Sequence, residues 1–507
     1  MIRKQQRTPQ FLLIAFFAIY YCIVEYLLVS NISLTSLSEL DFIVIAIISF
    51  LNLIPAGIFA LAMVSILPRE FSSSINEENL LAHSPPIFRP RVAVLYATYN
   101  DFMEPHAEYD LLEAQAGRLE FFLLDDSTDP CKKGEVKEFA TRFGCSVLRR
   151  DTRKGYKAGA INAWIKQFGN SYDYFFILDS DSRAGLEGIK RCVELARRNP
   201  RIAVVQTKTL TMTSNPSRLT KSSVCVQHAY MEIVQKAMRN LGTSPYYGHN
   251  ALISIAAIRD VGGFVEESNE DYKTLARLHD RGYESIYAEG AVTWEEVPPD
   301  YLSSRKRSLR WSRDAVSQLG LLRFGSPLAI TFFLFYGWVT HISNLALMIL
   351  LFTATSIALP HLFSNTSTEV AGFIALSAIV LWPLLALGTK DPELKSGNML
   401  RALLWGSVYN IPMMTPLGLQ ILKTAIQKAS IRLSGFLGYA REIRQEFVVT
   451  PKTKHSDSSV SSIVRNLKVE TSFGIAMTIV ALMTDHAMSL IFAAPQIVSS
   501  ISIPLLV

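Results

Sequence analysis

Cysteine is scarce in this sequence, and its pattern excludes a disulfide framework. The 507 residues include five cysteines, and no two of them form a C-x-x-C pair. An odd, scattered set suits neither paired bridges nor a structural zinc site. We therefore predict free, reduced thiols, as is usual in a cytoplasmic domain. The cysteines are Cys22, Cys131, Cys145, Cys192 and Cys225.

Basic residues are missing from five long apolar runs. Hydrophobic residues make up 49% of the chain, charged residues only 19%, and the mean hydropathy is +0.22. Such a composition indicates membrane spans, each of which needs about 20 apolar residues. The runs are 11–30, 42–67, 328–359, 370–387 and 474–507. The last is long enough for two tight spans, so we predict six spans in total.

Lysine and arginine fall in the N-terminal tail, the central region and the segment 389–473. This positive-inside pattern places both termini and the central domain in the cytoplasm. The net charge of +6 thus favours membrane lipids as partners, and we predict no nucleic acid. We expect a multi-pass protein of the bacterial inner (plasma) membrane.

The predicted domains follow from these runs and charges. They are an N-terminal transmembrane hairpin (1–67), a cytoplasmic domain (68–326), a second hairpin (327–388), interfacial helices (389–473) and a C-terminal hairpin (474–507). Within the fourth, segment 401–422 is apolar but has basic flanks and contains Asn410, Pro412 and Pro416. We interpret this segment as interfacial or re-entrant. The alternative is a true span, which would invert the topology after it.

The cytoplasmic domain alternates between strands and helices. Such alternation predicts an α/β domain, with helices on both faces of a parallel sheet. Ligands of these sheets bind beyond the carboxyl ends of the strands. The apolar, β-rich runs are 92–97, 119–124, 174–178 and 202–206, and helical stretches include 157–168 and 186–199.

Polar clusters follow three of the predicted strands, beginning at Thr98, Asp125 and Asp179. Asp179 and Asp181 are two residues apart, so on an extended strand end they point the same way. Paired carboxylates suit Mg²⁺ or Mn²⁺ completed by phosphate oxygens, although a solvated turn gives the same pattern. Asp125 and Asp126 suit hydrogen bonds from a uracil or ribose, with a helix N-cap as the alternative.

Two further motifs sit at predicted helix starts. The segment 153–162 (RKGYKAGAIN) combines basic residues with glycines, which favours phosphate binding; a solvated basic turn is the alternative. Glu270 and Asp271 follow Asn269 before a second helical stretch. A carboxylate there can act as a general base, or simply cap the helix.

An Arg–Trp pair precedes the return to the apolar runs. Arg310 and Trp311, three and four residues after Arg307, offer a cationic fork for phosphate and a flat face for a sugar ring. Both residue types are also enriched at membrane interfaces, so interfacial anchoring is the alternative.

The ordered motifs resemble those of family-2 glycosyltransferases with a GT-A fold, over about residues 90–455. They are TYND, DDS, KGYKAGAIN, DSD, GHNA, NED, EVPP, RW and VTPK. The span layout resembles the processive branch, which includes cellulose, chitin, hyaluronan and mixed-linkage glucan synthases. The resemblance implies an α/β GT-A nucleotide-diphospho-sugar transferase domain inserted between α-helical transmembrane segments.

The resemblance also implies roles at matching positions. Asp271 is the implied catalytic base, and Asp179 and Asp181 are the implied ligands of Mg²⁺ or Mn²⁺. The segment 447–452 (FVVTPK) resembles a gating loop that closes over bound UDP. The implied nucleotide- and substrate-binding residues are Thr98, Tyr99, Asp125, Asp126, Lys157, Asp179, Glu270, Arg307, Arg310, Trp311, Thr450 and Lys452.

These motifs favour an inverting, processive synthase that builds a β-linked polysaccharide from a UDP-sugar and translocates it. The predicted partners are UDP-glucose, the growing polysaccharide, membrane lipids and an accessory export subunit. Arg307 stands where the family usually has Gln, so the alternative is a non-processive enzyme that adds single sugars to a lipid or short glycan. A transporter, suggested by Glu25 and His341 in apolar runs, is disfavoured by the large α/β domain.

Overall fold

The computed structural model describes residues 7–30, 89–213, 217–241, 244–267, 269–318, 414–436 and 460–484, with single residues between 39 and 80 and at 497. Region 89–318 holds an α/β domain. Among the described residues, further helices lie before residue 89 and after residue 413. The predicted hairpin 327–388 falls outside the described residues, and the proposed domain boundaries stay predictions.

A mixed sheet forms the centre of the α/β domain. Its strands are β1 (Val92–Thr98), β2 (Glu120–Asp125), β3 (Ser146–Leu148), β4 (Tyr174–Asp179), β5 (Ser182–Ala184), β6 (Ile202–Met212), β7 (Ala251–Ser254) and β8 (Glu284–Glu296). Their spatial order is β3-β2-β1-β4-β7-β6-β8-β5. The first four are mutually parallel, as predicted.

The prediction of a wholly parallel sheet is wrong for two strands. β7 runs antiparallel to β4 and β6, and β5 runs antiparallel to β8. β7 starts at Ala251, opposite Ile177 near the end of β4. A strand that enters from the edge where β4 ends must run in the opposite direction. β6 also continues past its apolar part, because its residues 208–212 pair with 292–296 of β8 beyond a register shift.

The prediction of helices on both faces is confirmed. Val92, Val94 and Tyr96 of β1 point to one core, whereas Ala93 and Leu95 point to the other, as the two-residue period of a strand requires. The first core is covered by α2 (Glu104–Ala116), α3 (Pro130–Phe143) and α5 (Leu186–Ala196), and the second by α4 (Tyr156–Phe168), α8 (Ile255–Asp260) and α9 (Glu270–Asp280).

Two helical pieces and a π-helical turn form a bridge to the N-terminal helices. α6 (Arg218–Tyr230) leads through a π-helical turn (Met231–Gln235) into α7 (Lys236–Asn240). The apolar residues Ala237 and Leu241 pack against Leu13 and Val64. The side-chain amide of Asn240 also donates to the backbone oxygen of Val64, at 3.0 Å.

Flanking helices are α1 (Arg7–Val29), α11 (Met414–Phe436), α12 (Val460–Asn466) and α13 (Lys468–Thr484), and α10 (Tyr301–Gln318) ends the α/β domain. Among the described residues, no helix is both long and apolar enough to cross a membrane. The Ser49 hydroxyl donates to the Glu25 carboxylate at 2.6 Å, which gives Glu25 a structural partner; His341 lies outside the described residues. All five cysteines are free thiols.

Candidate active site

The predicted polar clusters meet at one edge of the sheet. In the parallel register, Thr98 at the end of β1 lies beside Asp125 of β2, and Ala97 lies beside Asp179 of β4. Because the three strands end at the same level, their following residues share one cleft. The predicted convergence of the TYND, DDS and DSD motifs is confirmed.

The two carboxylates of the DDS motif are held by arginines that follow β3. Asp125 accepts from the Arg149 Nε at 2.7 Å and from the Ser127 amide at 3.0 Å. Asp126 forms a two-point ion pair with Arg150, whose Nε lies 3.0 Å from Oδ1. The N-cap alternative is wrong for this pair, because Asp129 caps α3 instead.

An arginine lies over the predicted nucleotide-binding tyrosine. The Arg153 guanidinium carbon is 3.4 Å from the Tyr99 ring centroid and 5.0 Å from that of Tyr156. Burial lowers the pKa of Arg153, with the nearby Tyr99 and Asp126 acting in the opposite direction. A flat cation on an aromatic ring forms a surface on which a nucleobase can stack.

Helix α4 brings Lys157 to the DSD motif. The helix begins after Gly155, which has φ 69°, a conformation that glycine adopts without steric cost. The Lys157 ammonium lies 2.7 Å from Asp179 Oδ1. Burial works against its charge, but Asp179 and Glu270 outweigh burial and raise the pKa of Lys157. A fixed cation therefore stands at the first turn of α4, where the sequence predicts phosphate binding.

His249 is a second cation beside the DSD motif. Its Nδ1 lies 3.7 Å from Asp179 Oδ2, and its Nε2 lies 3.1 Å from Glu295 Oε2. Burial opposes protonation, yet Glu295 and Asp179 raise the pKa of His249 to about 9. The sequence places His249 in the GHNA motif without a role, because its partner Glu295 is 46 residues away.

The DSD carboxylates fit a divalent cation only with help from the substrate. Asp179 is partly exposed, and Asp181 is buried beside it at 3% exposure. Two carboxylates are hard oxygen donors of the type that Mg²⁺ and Mn²⁺ prefer. Among the described residues, no group of three or more His, Cys, Asp or Glu side chains forms a metal cage. The remaining ligands would have to be phosphate oxygens or water.

The NED motif opens α9 inside the same cleft. Asn269 adopts a left-handed conformation with φ 65°, and Glu270 and Asp271 occupy the first helical turn. Burial and the neighbouring Glu270 raise the pKa of Asp271 to about 7. Burial also raises the pKa of Glu270, against the pull of Lys157. The N-cap position belongs to Asn269, which makes no side-chain cap hydrogen bond, and among the described residues Asp271 accepts a hydrogen bond only from the adjacent Tyr272 amide of the first turn, at 2.8 Å.

Helix α10 presents its Arg–Trp motif to the cleft. Arg307, Arg310, Trp311 and Asp314 recur at intervals of three and four residues, so they share one helical face. Burial lowers the pKa of Arg310, while Asp314, Asp179 and Glu270 counteract that effect, which places Arg310 among the site carboxylates. Trp311 keeps 42% of its surface exposed.

Arg307, the departure from the family motif, also faces the site. Its guanidinium carbon is 4.8 Å from the Trp311 ring centroid. Burial lowers its pKa, and the carboxylates of Glu295 and Asp181 act against this shift. The structure thus brings together all the predicted site residues except Thr450 and Lys452, which lie outside the described residues. Their roles stay predictions.

Comparisons with known proteins bear on the family of this domain. Residues 174–389 match the model described as glycosyl transferase family group 2. This region is a family-2 glycosyltransferase domain. The resemblance stated from the motifs, to GT-A enzymes of the cellulose-synthase-like branch, is confirmed, as is the assignment to the glycosyltransferases.

Two curated relatives show how far the similarity extends. A glucans biosynthesis glucosyltransferase H of Bradyrhizobium diazoefficiens is 28% identical over 47% of this chain and 35% of its own length. A glucomannan 4-beta-mannosyltransferase of Arabidopsis thaliana is 28% identical over 38% of each chain. The glycosyltransferase alignments thus span little more than a third of these relatives.

One solved structure covers more of the chain at lower identity. It is a mannosyltransferase from Pyrobaculum calidifontis in complex with GDP-mannose and Mn²⁺. It is 18% identical, covers 73% of this chain and 99% of its own, and has a TM-score of 0.48.

Proposed function

We propose that this glycosyltransferase transfers a hexosyl unit from a nucleoside-diphosphate sugar to a glycan hydroxyl with inversion at the anomeric carbon. The observation that carries the proposal is the position of Asp271 in the first turn of α9, inside the cleft that holds Lys157 and the DSD motif. Burial and the neighbouring Glu270 raise the pKa of this carboxyl to about 7. A general base works best when its pKa lies near the working pH. The acceptor oxygen bonds to the anomeric carbon, the bond from that carbon to the diphosphate breaks, and the hydroxyl proton passes to Asp271.

The cations around Asp271 suit the leaving group. The departing diphosphate gains negative charge, which Lys157, Arg310 and Arg307 are placed to stabilise. Asp179 and Asp181 would hold Mg²⁺ or Mn²⁺, which supplies further positive charge at the diphosphate. When a donor enters, its phosphates compete with Asp179 for the Lys157 ammonium.

A UDP-sugar, with UDP-glucose favoured, is our proposed donor. Asp126 is fixed by Arg150, and its carboxylate oxygens can accept a further hydrogen bond from a base or ribose. The Asp125 side chain is fully buried against Arg149, so it supports the strand end that carries Asp126. The Arg153 guanidinium, which lies over the Tyr99 ring, offers a flat surface for stacking of the base. The names of the curated relatives, a glucosyltransferase and mannosyltransferases, support a hexose donor.

The chain is proposed to be a processive synthase of a β-linked glucan in the bacterial inner membrane, with its catalytic domain in the cytoplasm. Support comes from the apolar runs without basic residues. It also comes from apolar side chains that α1, α11 and α13 leave exposed, among them Ile23, Ile426 and Ile479. An accessory export subunit belongs to the same proposal.

A non-processive transferase is the second candidate, and Arg307 favours it. A guanidinium beside Trp311 changes the surface on which an acceptor sugar would stack. Its preferred acceptor would be a lipid or a short glycan.

Product size separates the two candidates. The full chain in lipid nanodiscs is given a panel of radiolabelled UDP- and GDP-hexoses with Mg²⁺, Mn²⁺ or EDTA. A high-molecular-weight product from one donor supports the processive synthase and identifies its sugar. A short or solvent-extractable product supports single transfer. Donor hydrolysis and transfer both absent with every donor, acceptor oligosaccharide and metal would overturn the enzymatic proposal.

A further inference from the structure

The strand that follows the DSD motif has an open edge. β5 has three residues, Ser182–Ala184, and in the part of the chain that the structure describes it pairs only with β8. Such a short edge strand gains little stability from its own ladder, and its outward amide groups need other partners. The Asp181 carbonyl oxygen accepts from the Glu296 amide of β8 at 2.9 Å. By strand alternation, the Ala184 amide therefore faces away from β8. The Leu186 amide belongs to the first residue of α5, and amides of a first helical turn have no partner within the helix.

Two carboxylates of α2 accept hydrogen bonds from these two amides. Asp110 Oδ1 accepts from the Ala184 amide at 2.7 Å, and Glu113 Oε2 accepts from the Leu186 amide at 2.6 Å. Asp110 and Glu113 are three residues apart, so they lie on one face of the helix. Helix α2 thus supplies one acceptor to the open edge of β5 and one to the first turn of α5.

A histidine of the same face extends this contact. Arg183 Nε donates to His106 Nδ1 at 3.2 Å. An arginine can only donate, so Nδ1 is the acceptor and the His106 proton is on Nε2. That atom lies 3.7 Å from Glu296 Oε1, at the end of β8. His106 therefore joins β5 and the end of β8 to α2.

These contacts hold the backbone that carries Asp181. On the third side, the Tyr96 hydroxyl donates to the Ser180 carbonyl at 2.7 Å. The segment 180–186 is thus fixed by β1, β8 and α2, and a shift of β5 would move the Asp181 carboxylate. Asp110 is 1% exposed, and burial raises its pKa well above the usual value. A buried carboxyl is costly, so its hydrogen bond to Ala184 is its main compensating contact.

We propose that Asp110 and Glu113 are positioning residues that set the place of Asp181 and thereby the affinity for the donor diphosphate. The inference rests on the proposed function of the cleft. Neither residue touches the donor: Asp110 acts through the Ala184 amide of β5, and Glu113 acts through the Leu186 amide at the start of α5.

The test compares Asp110→Leu, which removes the acceptor, with Asp110→Asn, which keeps an oxygen at the same place. Gln115→Ala, on the exposed side of α2, is the control. In full-length protein, we expect Asp110→Leu to speed amide exchange in residues 182–187, and to weaken UDP or GDP binding with Mn²⁺ about 10- to 100-fold. The KM for the donor should rise while the KM for the acceptor does not. Asp110→Asn should restore both properties to near the wild-type values.

The outcomes separate this inference from the proposed function. If the wild-type protein binds neither nucleotide and transfers no sugar, the proposed function fails. Amide exchange still tests whether Asp110 and Glu113 hold the segment 182–187. If wild type is active but Asp110→Leu changes neither exchange nor donor affinity, the inference is overturned. If Asp110→Leu does not fold, Glu113→Ala against Glu113→Gln gives the same comparison at Leu186, because Glu113 is only partly buried.

Discussion

The α/β domain buries most of its large apolar side chains, whereas the flanking helices leave many of theirs exposed. In the described part of residues 89–318, Trp164 and Phe175 are among many fully buried residues, and the exposed large apolar side chains are Leu112 and Trp311. The flanking helices instead leave apolar side chains open. Those of α1, α11 and α13 include Phe11, Ile14, Ile19, Ile23, Tyr26, Leu419, Leu422, Ile426, Ile475, Ile479 and Leu482.

The difference in exposure indicates that apolar residues have different roles in the two regions. In the domain, apolar contacts fix a rigid sheet whose strand ends carry the chemistry. On the flanking helices, exposed apolar residues recur at helical spacing, as at Leu419, Leu422 and Ile426. Apolar surface of this kind marks contact with another apolar phase or partner. Substitutions in the two regions should therefore change different measured properties.

The largest expected effect is on catalysis. Asp271→Asn should lower kcat about 10²- to 10⁴-fold, because the amide cannot accept the acceptor proton. Donor binding should stay within the range of the control Glu267→Gln, an exposed position. Radiolabelled transfer in nanodiscs measures the rate. Turnover equal to wild type would remove Asp271 from the base role. Loss of folding would show that Asp271 is also required for the stability of the α/β domain.

A matched pair of apolar substitutions should separate the α/β domain from the flanking helices. Trp164→Ala removes a fully buried indole that packs edge-on against Phe122, with ring centroids 5.4 Å apart. It should lower the free energy of unfolding by about 3–5 kcal/mol. Ile479→Ala, at a residue 52% exposed, should change it by less than about 0.5 kcal/mol. Chemical denaturation of both variants tests the contrast, which fails if the two losses are equal.

The pH dependence should have opposite signs for rate and for stability. The base must be ionised, so kcat should fall about tenfold per pH unit below the Asp271 pKa of about 7. An aspartate in an unfolded chain has a pKa of about 3.9. The folded protein therefore binds more protons between about pH 4 and pH 7, and the Asp271 contribution to stability falls as pH rises through that window. Unfolding of wild type and Asp271→Asn from pH 4 to 8 measures this, and a stability difference independent of pH would contradict it.

The part of the cleft formed by the strand ends could be predicted from the sequence. Strands β1, β2 and β4 begin at or within one residue of their apolar runs, because alternate buried positions need apolar residues on both faces of a parallel sheet. The residues that end them then meet by topology alone. That rule brings Thr98, Asp125 and Asp179 together without any knowledge of their contacts.

Contacts between distant residues were not predictable in this way. Asp126 pairs with Arg150 and His249 with Glu295, across 24 and 46 residues. No sequence motif links residues that far apart in the chain. β7 is four residues long and antiparallel, and its direction depends on where the chain re-enters the sheet. The polar end of β6 lacks an apolar signal, since the pairing with β8 specifies it.

The smallest expected effect lies where the two regions meet, on α10, which packs against α11. Arg307→Gln restores the family residue and removes a cation beside Glu295 and Asp181. The donor KM should rise about 3- to 10-fold, because a partly exposed charge contributes about 1 kcal/mol. Product length should increase if Arg307 limits acceptor sliding over Trp311. Lys306→Gln, an exposed neighbour with the same loss of charge, should change neither property. A rise in donor KM without longer products would assign Arg307 to the diphosphate alone, and equal effects of both substitutions would reduce its role to general electrostatics.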